Sequence, residues 1–138
     1  MPARDVYHQA VKFALIKDGW TILAEDYVLQ YGEDKVYADI AAEQTIAAQK
    51  QGRKIIVEVK SFLGRSFIND LEGAVGQYVI YRDILEETNS DFKIYLAITK
   101  AVYKNNFQRK LAQTILKRNQ INLLIIEPEN EVIEQWIE

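Results

Sequence analysis

The chain has 138 residues, 49% of them hydrophobic and 27% charged, with no cysteine and a formal charge of −3. A chain of this length buries roughly 70% of its unfolded surface, so one domain over residues 1–138 is expected and disorder is not. Without cysteine, disulfide scaffolds, thiolate metal sites, thiol nucleophiles and redox motifs are excluded, which leaves oxygen chemistry.

The N-terminus, Met-Pro-Ala-Arg-Asp, lacks a basic-then-apolar leader, and no apolar run approaches the roughly 18 residues of a membrane span. A cytoplasmic protein without membrane contact is expected. The pI near 5.3 argues against strong nonspecific binding to DNA. That average hides an asymmetry: residues 92–126 hold Lys93, Lys100, Lys104, Arg109, Lys110, Lys117 and Arg118 and no acid, and residues 127–138 hold five acids and no base. The basic stretch is the one candidate footprint for a polyanion; its bland alternative is a solvated helix face.

In chain order, Asp5 to Asp18 carries Val6, Ala10, Phe13, Ala14 and Ile16 at helical spacing, with Gly19 as a C-terminal stop. Trp20 to Ala24 predicts a short strand and Val28 to Tyr31 another, before a turn at Gly32-Glu33-Asp34. Lys35 to Ala42 and Thr45 to Gln49 look extended, Gln51-Gly52 predicts a tight turn, and the apolar run Lys54 to Lys60 predicts a well-buried strand. Ile68, Leu71, Val75, Tyr78, Val79 and Leu85 predict a second helix whose start lies near Asn69-Asp70. Lys93 to Ile98 predicts a strand, Asn106 to Arg118 a basic helix, Leu123 to Ile126 a strand and Val132 to Ile137 an edge strand. This order predicts an α/β (α+β) fold, a mixed β-sheet flanked by helices.

Within the buried run, Ile55-Ile56-Val57-Glu58-Val59-Lys60 places a carboxylate and an ammonium two residues apart on one face. Burying charge costs several kcal/mol per ion unless the charges are paired or bind a metal, so Glu58 is a candidate metal ligand and Lys60 a candidate phosphate or water contact. The alternative is that the sheet ends at Val57 and the pair is solvated. Asp39 interrupts a second β-like run, and two carboxylates on adjacent strands would form an oxygen-rich site suited to Mg²⁺. If the hairpin closes at Gln51-Gly52, Glu58 pairs with Thr45 and Lys60 with Glu43. Asp39 then lies four residues too far along, roughly 13 Å. Either a bulge near Ala41-Ala42 brings Asp39 back, or Glu43 is the second acid. His8 is the only histidine; Gln77 and Tyr81 share one helix face.

Asp39, then Glu58-Val59-Lys60, preceded by a helix and a strand and followed by a Gln-bearing helix, resembles the PD-(D/E)XK nuclease-like superfamily. The resemblance implies a Mg²⁺ (or Mn²⁺) held by Asp39, Glu58 and the Val59 carbonyl, with Lys60 assisting hydrolysis and Gln77 and Tyr81 matching a QxxxY feature. Ala38 stands where that motif has proline. His8 stands eleven residues before Gly19-Trp20, where resolvase-like members carry a glutamate.

Arg4-Asp5-Val6-Tyr7-His8, Ala14 to Trp20, Val59 to Gly64 and Gly76 to Arg82 together resemble XisH, the excision controlling factor family. That resemblance spans essentially the whole chain and implies a role in excising a DNA element, beside a site-specific recombinase and the small partner XisI. As an enzyme, Asp39, Glu58, Lys60 and Gln77 would carry catalysis, with His8, Glu43 and Tyr81 behind them. Lys104, Arg109, Lys110, Lys117 and Arg118 would meet the DNA backbone. Two rivals stay open, a non-catalytic accessory module that recruits XisI or a recombinase and a toxin-like nuclease checked by its partner. So does a homodimer.

Overall fold

A computed structural model describes residues 4–45 and 52–138. The expected extended run to Gln49 and the turn at Gln51 fall largely on residues 46–51, outside the described part. Six strands follow chain order across one sheet: β1 (Thr21–Tyr31), β2 (Asp34–Gln44), β3 (Arg53–Val59), β4 (Lys93–Thr99), β5 (Leu123–Glu127) and β6 (Val132–Ile137). The β1–β2, β2–β3 and β5–β6 pairs are antiparallel; β3–β4 and β4–β5 are parallel. The mixed sheet flanked by helices is therefore as expected.

The two parallel connections carry helices: α2 (Phe67–Glu87) between β3 and β4, then α3 (Lys100–Asn105) and α4 (Lys110–Arg118) between β4 and β5. Two crossovers advancing in one direction with the same hand leave their helices on the same face. Leu71, Ala74, Tyr78, Tyr81 and Leu85 of α2 accordingly share one core with Val102 of α3 and Ala112 of α4. The other face is covered by α1 (His8–Lys17) through Val11, Ala14 and Leu15. With both faces covered, Ile55 to Val59 are all buried, which explains why β3 reads as a continuous apolar run.

Four differences from the sequence reading bear on the site. Helix α1 buries His8, Val11, Ala14 and Leu15, while Val6, Phe13 and Ile16 are exposed. Phe13 to Ile16 is apolar all round, so the pattern did not select a face. Second, β1 is one strand of eleven residues, kinked at Asp26 with φ +54° and bulged between Ile22 and Ala24. Gly32, φ +60°, makes the tight turn into β2.

Third, the basic helix expected over Asn106 to Arg118 covers only Lys110–Arg118, and a separate short helix, α3, precedes it. The Thr99 hydroxyl accepts the Val102 N–H and starts α3 where β4 ends. Fully buried Phe107 then fills the break before α4.

Fourth, the β2–β3 register places Gln44 opposite Arg53 and Glu43 opposite Lys54, so Glu58 does not pair with Thr45 nor Lys60 with Glu43. Asp39 arrives beside Glu58 with no bulge at Ala41-Ala42, and Glu43 is carried away from it.

Candidate functional site

The β2–β3 ladder ends at Ile40 opposite Val57. One step further the side chains of Asp39 and Glu58 take over as acceptors. The Asp39 N–H donates to Glu58 Oε1 at 2.8 Å, and the Val59 N–H donates to Asp39 Oδ2 at 2.7 Å. Each carboxylate is thereby anchored on the other's strand, and the exchange satisfies two backbone donors where the sheet splays. Glu58 is only 4% exposed and Asp39 is half-buried.

Two carboxyls so close and so dry cannot both ionise cheaply. Burial, then the charge of Asp39, pushes Glu58 up to about 8 against the opposing Asp39 N–H and Lys60 ammonium. Asp39 is also held above the usual carboxylate range by burial, with the Val59 N–H, His8 and Lys60 pulling the other way. The two carboxyls interact, so the pair titrates as a unit.

Lys60 follows β3, its N–H donating to the Ala97 carbonyl at 3.1 Å. It lines a groove of about 430 Å³ together with Gln77, Asn69 and Asp5. Gln77 projects from α2 with its Oε1 buried and unpaired among the described residues. Tyr81, one turn on, is pushed up to about 12 by burial and then by Glu58 and Asp39, so it stays a neutral donor. Its hydroxyl donates to the Tyr37 carbonyl at 3.2 Å. The structure thus gathers Asp39, Glu58, Val59, Lys60, Gln77 and Tyr81 at one end of β3. Glu43, opposite Lys54, is not among them.

His8 is 1% exposed, near enough to Asp39 to lower its pKa, and its Nε2 lies 2.8 Å from Glu25 Oε1. Glu25 is held below its usual range chiefly by that contact, with Lys12 and Arg4 adding to it. An ionised carboxylate can only accept, so Nε2 carries the proton; Nδ1 is buried with no partner among the described residues.

Glu25 and Asp5 are functional candidates that the sequence reading missed. Glu25 lies in what looked like a gap between two strands, although an acid in an apolar run was the signal that had found Asp39. Asp5 looks like an ordinary helix-start residue, and its Oδ1 does accept the Tyr7 N–H; its Oδ2 reaches across to the Ser61 N–H at 2.8 Å and ties α1 to the end of β3.

The basic residues are dispersed. Arg109 and Lys110 sit at the start of α4, and Arg109 shares a second groove with Phe62 and Gly64, which also line the first. Lys104 faces a different groove beside Glu134. Lys117 and Arg118 end α4 near the starts of β4 and β5, Arg118 grouping with Lys93 and Asn122. That is towards the other end of the parallel strands, where Lys93 pairs with Ile55, three residues back from Glu58 or roughly 10 Å along the sheet.

Among the described residues no three His, Cys, Asp or Glu side chains converge as a ready-made metal cage. Two carboxylates and an adjacent backbone carbonyl nevertheless suit a hard cation such as Mg²⁺, which keeps several waters and needs only one or two carboxylates. The raised pKa values point the same way, since a divalent charge between Asp39 and Glu58 would relieve their repulsion. No helix of the described residues is long and apolar enough to cross a membrane.

The fold and the notch define a mixed-sheet α+β protein with a carboxylate pair and a lysine at the mouth of two central strands. A family model described as XisH protein matches residues 1–134. A crystal structure of an XisH family protein from Nostoc punctiforme is 40% identical, covering 97% of this chain and 100% of that one at a TM-score of 0.88. One of an FdxN element excision controlling factor protein from Anabaena variabilis is also 40% identical, covering 98% and 100% at a TM-score of 0.87. No curated protein matches. The chain belongs to the XisH family.

Proposed function

We propose that the protein is an element excision controlling factor whose notch hydrolyses phosphodiester bonds in DNA with Mg²⁺ or Mn²⁺. The excision role is supported by family membership and by the relative named as such a factor. The single observation that carries the chemistry is the reciprocal anchoring of Asp39 and Glu58 on each other's strand, beside Lys60.

Asp39, Glu58 and the Val59 carbonyl would hold the cation, which when bound lowers the pKa of water and offsets charge on the phosphate. Lys60 stands where its ammonium would face the attacked phosphate and neutralise the developing oxyanion or orient the water. Gln77, whose buried Oε1 has no partner among the described residues, would accept a hydrogen bond from that water. Tyr81 buttresses the acids as a neutral hydroxyl. The basic residues at the start of α4 would meet the DNA backbone. Proposed partners are an XisI-like protein and a site-specific recombinase, which would supply sequence choice.

A specific observation favours a second reading, an accessory module that recruits its partners without cutting: His8 Nε2 is committed to Glu25, and no third acidic side chain joins the pair among the described residues. Incubating the protein with supercoiled, branched and single-stranded DNA in Mg²⁺ or Mn²⁺, with and without an XisI-like partner, separates the two. Nicking that disappears in Glu58→Gln and Asp39→Asn, with unchanged circular dichroism, supports the hydrolase. Retardation of DNA without cleavage under every condition supports the accessory module.

A further inference from the structure

The segment joining β3 to α2, residues 60–66, forms the lip of the notch. On one side lies the groove of about 430 Å³ that holds Lys60 and Gln77; on the other lies a groove of about 410 Å³ lined by Arg65, Asn106 and Arg109. Phe62 and Gly64 border both, so the two grooves are neighbours on either side of the lip.

The lip is fixed. The Gly64 N–H donates to Asp70 Oδ2 at 2.9 Å, and a Cβ on Gly64 would lie 2.6 Å from both Asp70 oxygens. Phe62, Phe67 and buried Phe107 pack with centroids 5.1–5.6 Å apart. The Arg109 guanidinium lies 5.0 Å from the Phe67 centroid, which positions an otherwise exposed cation. Arg65 is exposed too, and neither arginine forms an ion pair among the described residues. The acids lining the first groove are turned to backbone donors, Asp70 to Gly64 and Asp5 to Ser61. At the far end of α4 the setting differs, because Arg118 shares its groove with Asp83 and Glu86.

We infer that a DNA strand leaves the notch across this lip, its successive phosphates meeting Lys60, Arg65 and Arg109. The inference rests on reading the notch as a phosphodiester site, and it assigns Arg65 a role that the charge count along the chain does not reveal. Cations on two neighbouring grooves recognise phosphate and not base edges, so the track supplies affinity without sequence choice.

The test is fluorescence anisotropy of a labelled 20-base-pair DNA duplex, with an RNA duplex of the same length, in EDTA over a range of salt. Arg65→Ala with Arg109→Ala should weaken DNA binding at least tenfold and reduce the slope of log K against log salt by about two. Both side chains are exposed, and an unchanged melting temperature confirms the fold. Wild-type affinity in that variant overturns the track. So does an equal or greater loss in Lys117→Ala with Arg118→Ala, or binding confined to RNA. Cleavage is scored separately: if the arginine variant binds as wild type while Glu58→Gln still abolishes nicking, only the track fails. If Glu58→Gln cuts normally while the arginine variant loses binding, the notch fails and the track stands.

Discussion

Two charge clusters, one around Glu25 of β1 and one formed by Asp39 of β2 and Glu58 of β3, meet the cost of burial in opposite ways. Around Glu25 stand the cations Lys12 and Arg4 and the His8 Nε2–H donor, and Glu25 is held below its usual range. Asp39 and Glu58 place two acids together, and both carboxyls are held above theirs. The first cluster sets cations against its acid. The second is left with a charge deficit that a proton fills at low pH and a cation could fill at higher pH. Sites where a fold tolerates such a deficit are candidates for function, because packing alone would have removed it.

The largest effect should come from removing the frustrated charge. Glu58 has its carboxyl raised from 4.5 to about 8, so the stability linked to its protonation is full below pH 4.5 and lost as pH rises through about 8. In EDTA, Glu58→Gln should therefore gain on the order of 2–4 kcal/mol over the parent at pH 8 and almost nothing at pH 4.5. Urea titrations at the two values check this, and an equal gain at both would show that Glu58 does not titrate as described. A comparable effect of opposite origin should follow from Mg²⁺ at pH 8. At a hundred times its dissociation constant it should stabilise the parent by about 2.7 kcal/mol and leave Glu58→Gln unmoved, read as a shift in melting temperature.

The satisfied cluster should respond with the other sign. Glu25→Ala leaves the His8 Nε2–H buried without its acceptor and should cost about 1–3 kcal/mol. Because the Glu25 carboxyl is lowered, that contribution is present above its ordinary 4.5 and fades as pH falls below it. The gap between parent and variant should narrow in acid, whereas the Glu58 gap widens in base. The smallest effect is a control on a neutral contact: Ser66→Ala removes the oxygen that accepts the Asn69 N–H at the start of α2, at about 1 kcal/mol and with no pH dependence.

Much of the fold was legible because it depends on local pattern. The β3 run Ile55 to Val59 is apolar on both faces, the Gly32 turn needs a positive φ, and Leu71, Tyr78 and Leu85 recur at helical spacing; each element lies where those signals put it. The face of α1 was not legible, since Phe13-Ala14-Leu15-Ile16 is apolar in every direction and only the sheet beneath chooses Ala14 and Leu15. Nor was the break between α3 and α4, which depends on Thr99 capping a helix at a strand end and on Phe107 finding a cavity.

The site divides along the same line. Residue type and strand pattern were enough to single out Asp39, Glu58 and Lys60, because a charge inside an apolar run signals its own cost. Whether Asp39 or Glu43 accompanies Glu58 was decided by the register of β2 against β3, a long-range pairing set by cores on both faces of the sheet and not by any turn signal in the connection. Which cations stand near the acids was decided the same way, since α4 carries Arg109 to the notch end and Arg118 to the other although both belong to one basic stretch. Chemistry is written one residue at a time; convergence of residues distant in the chain is a property of packing, and here only packing brought it about.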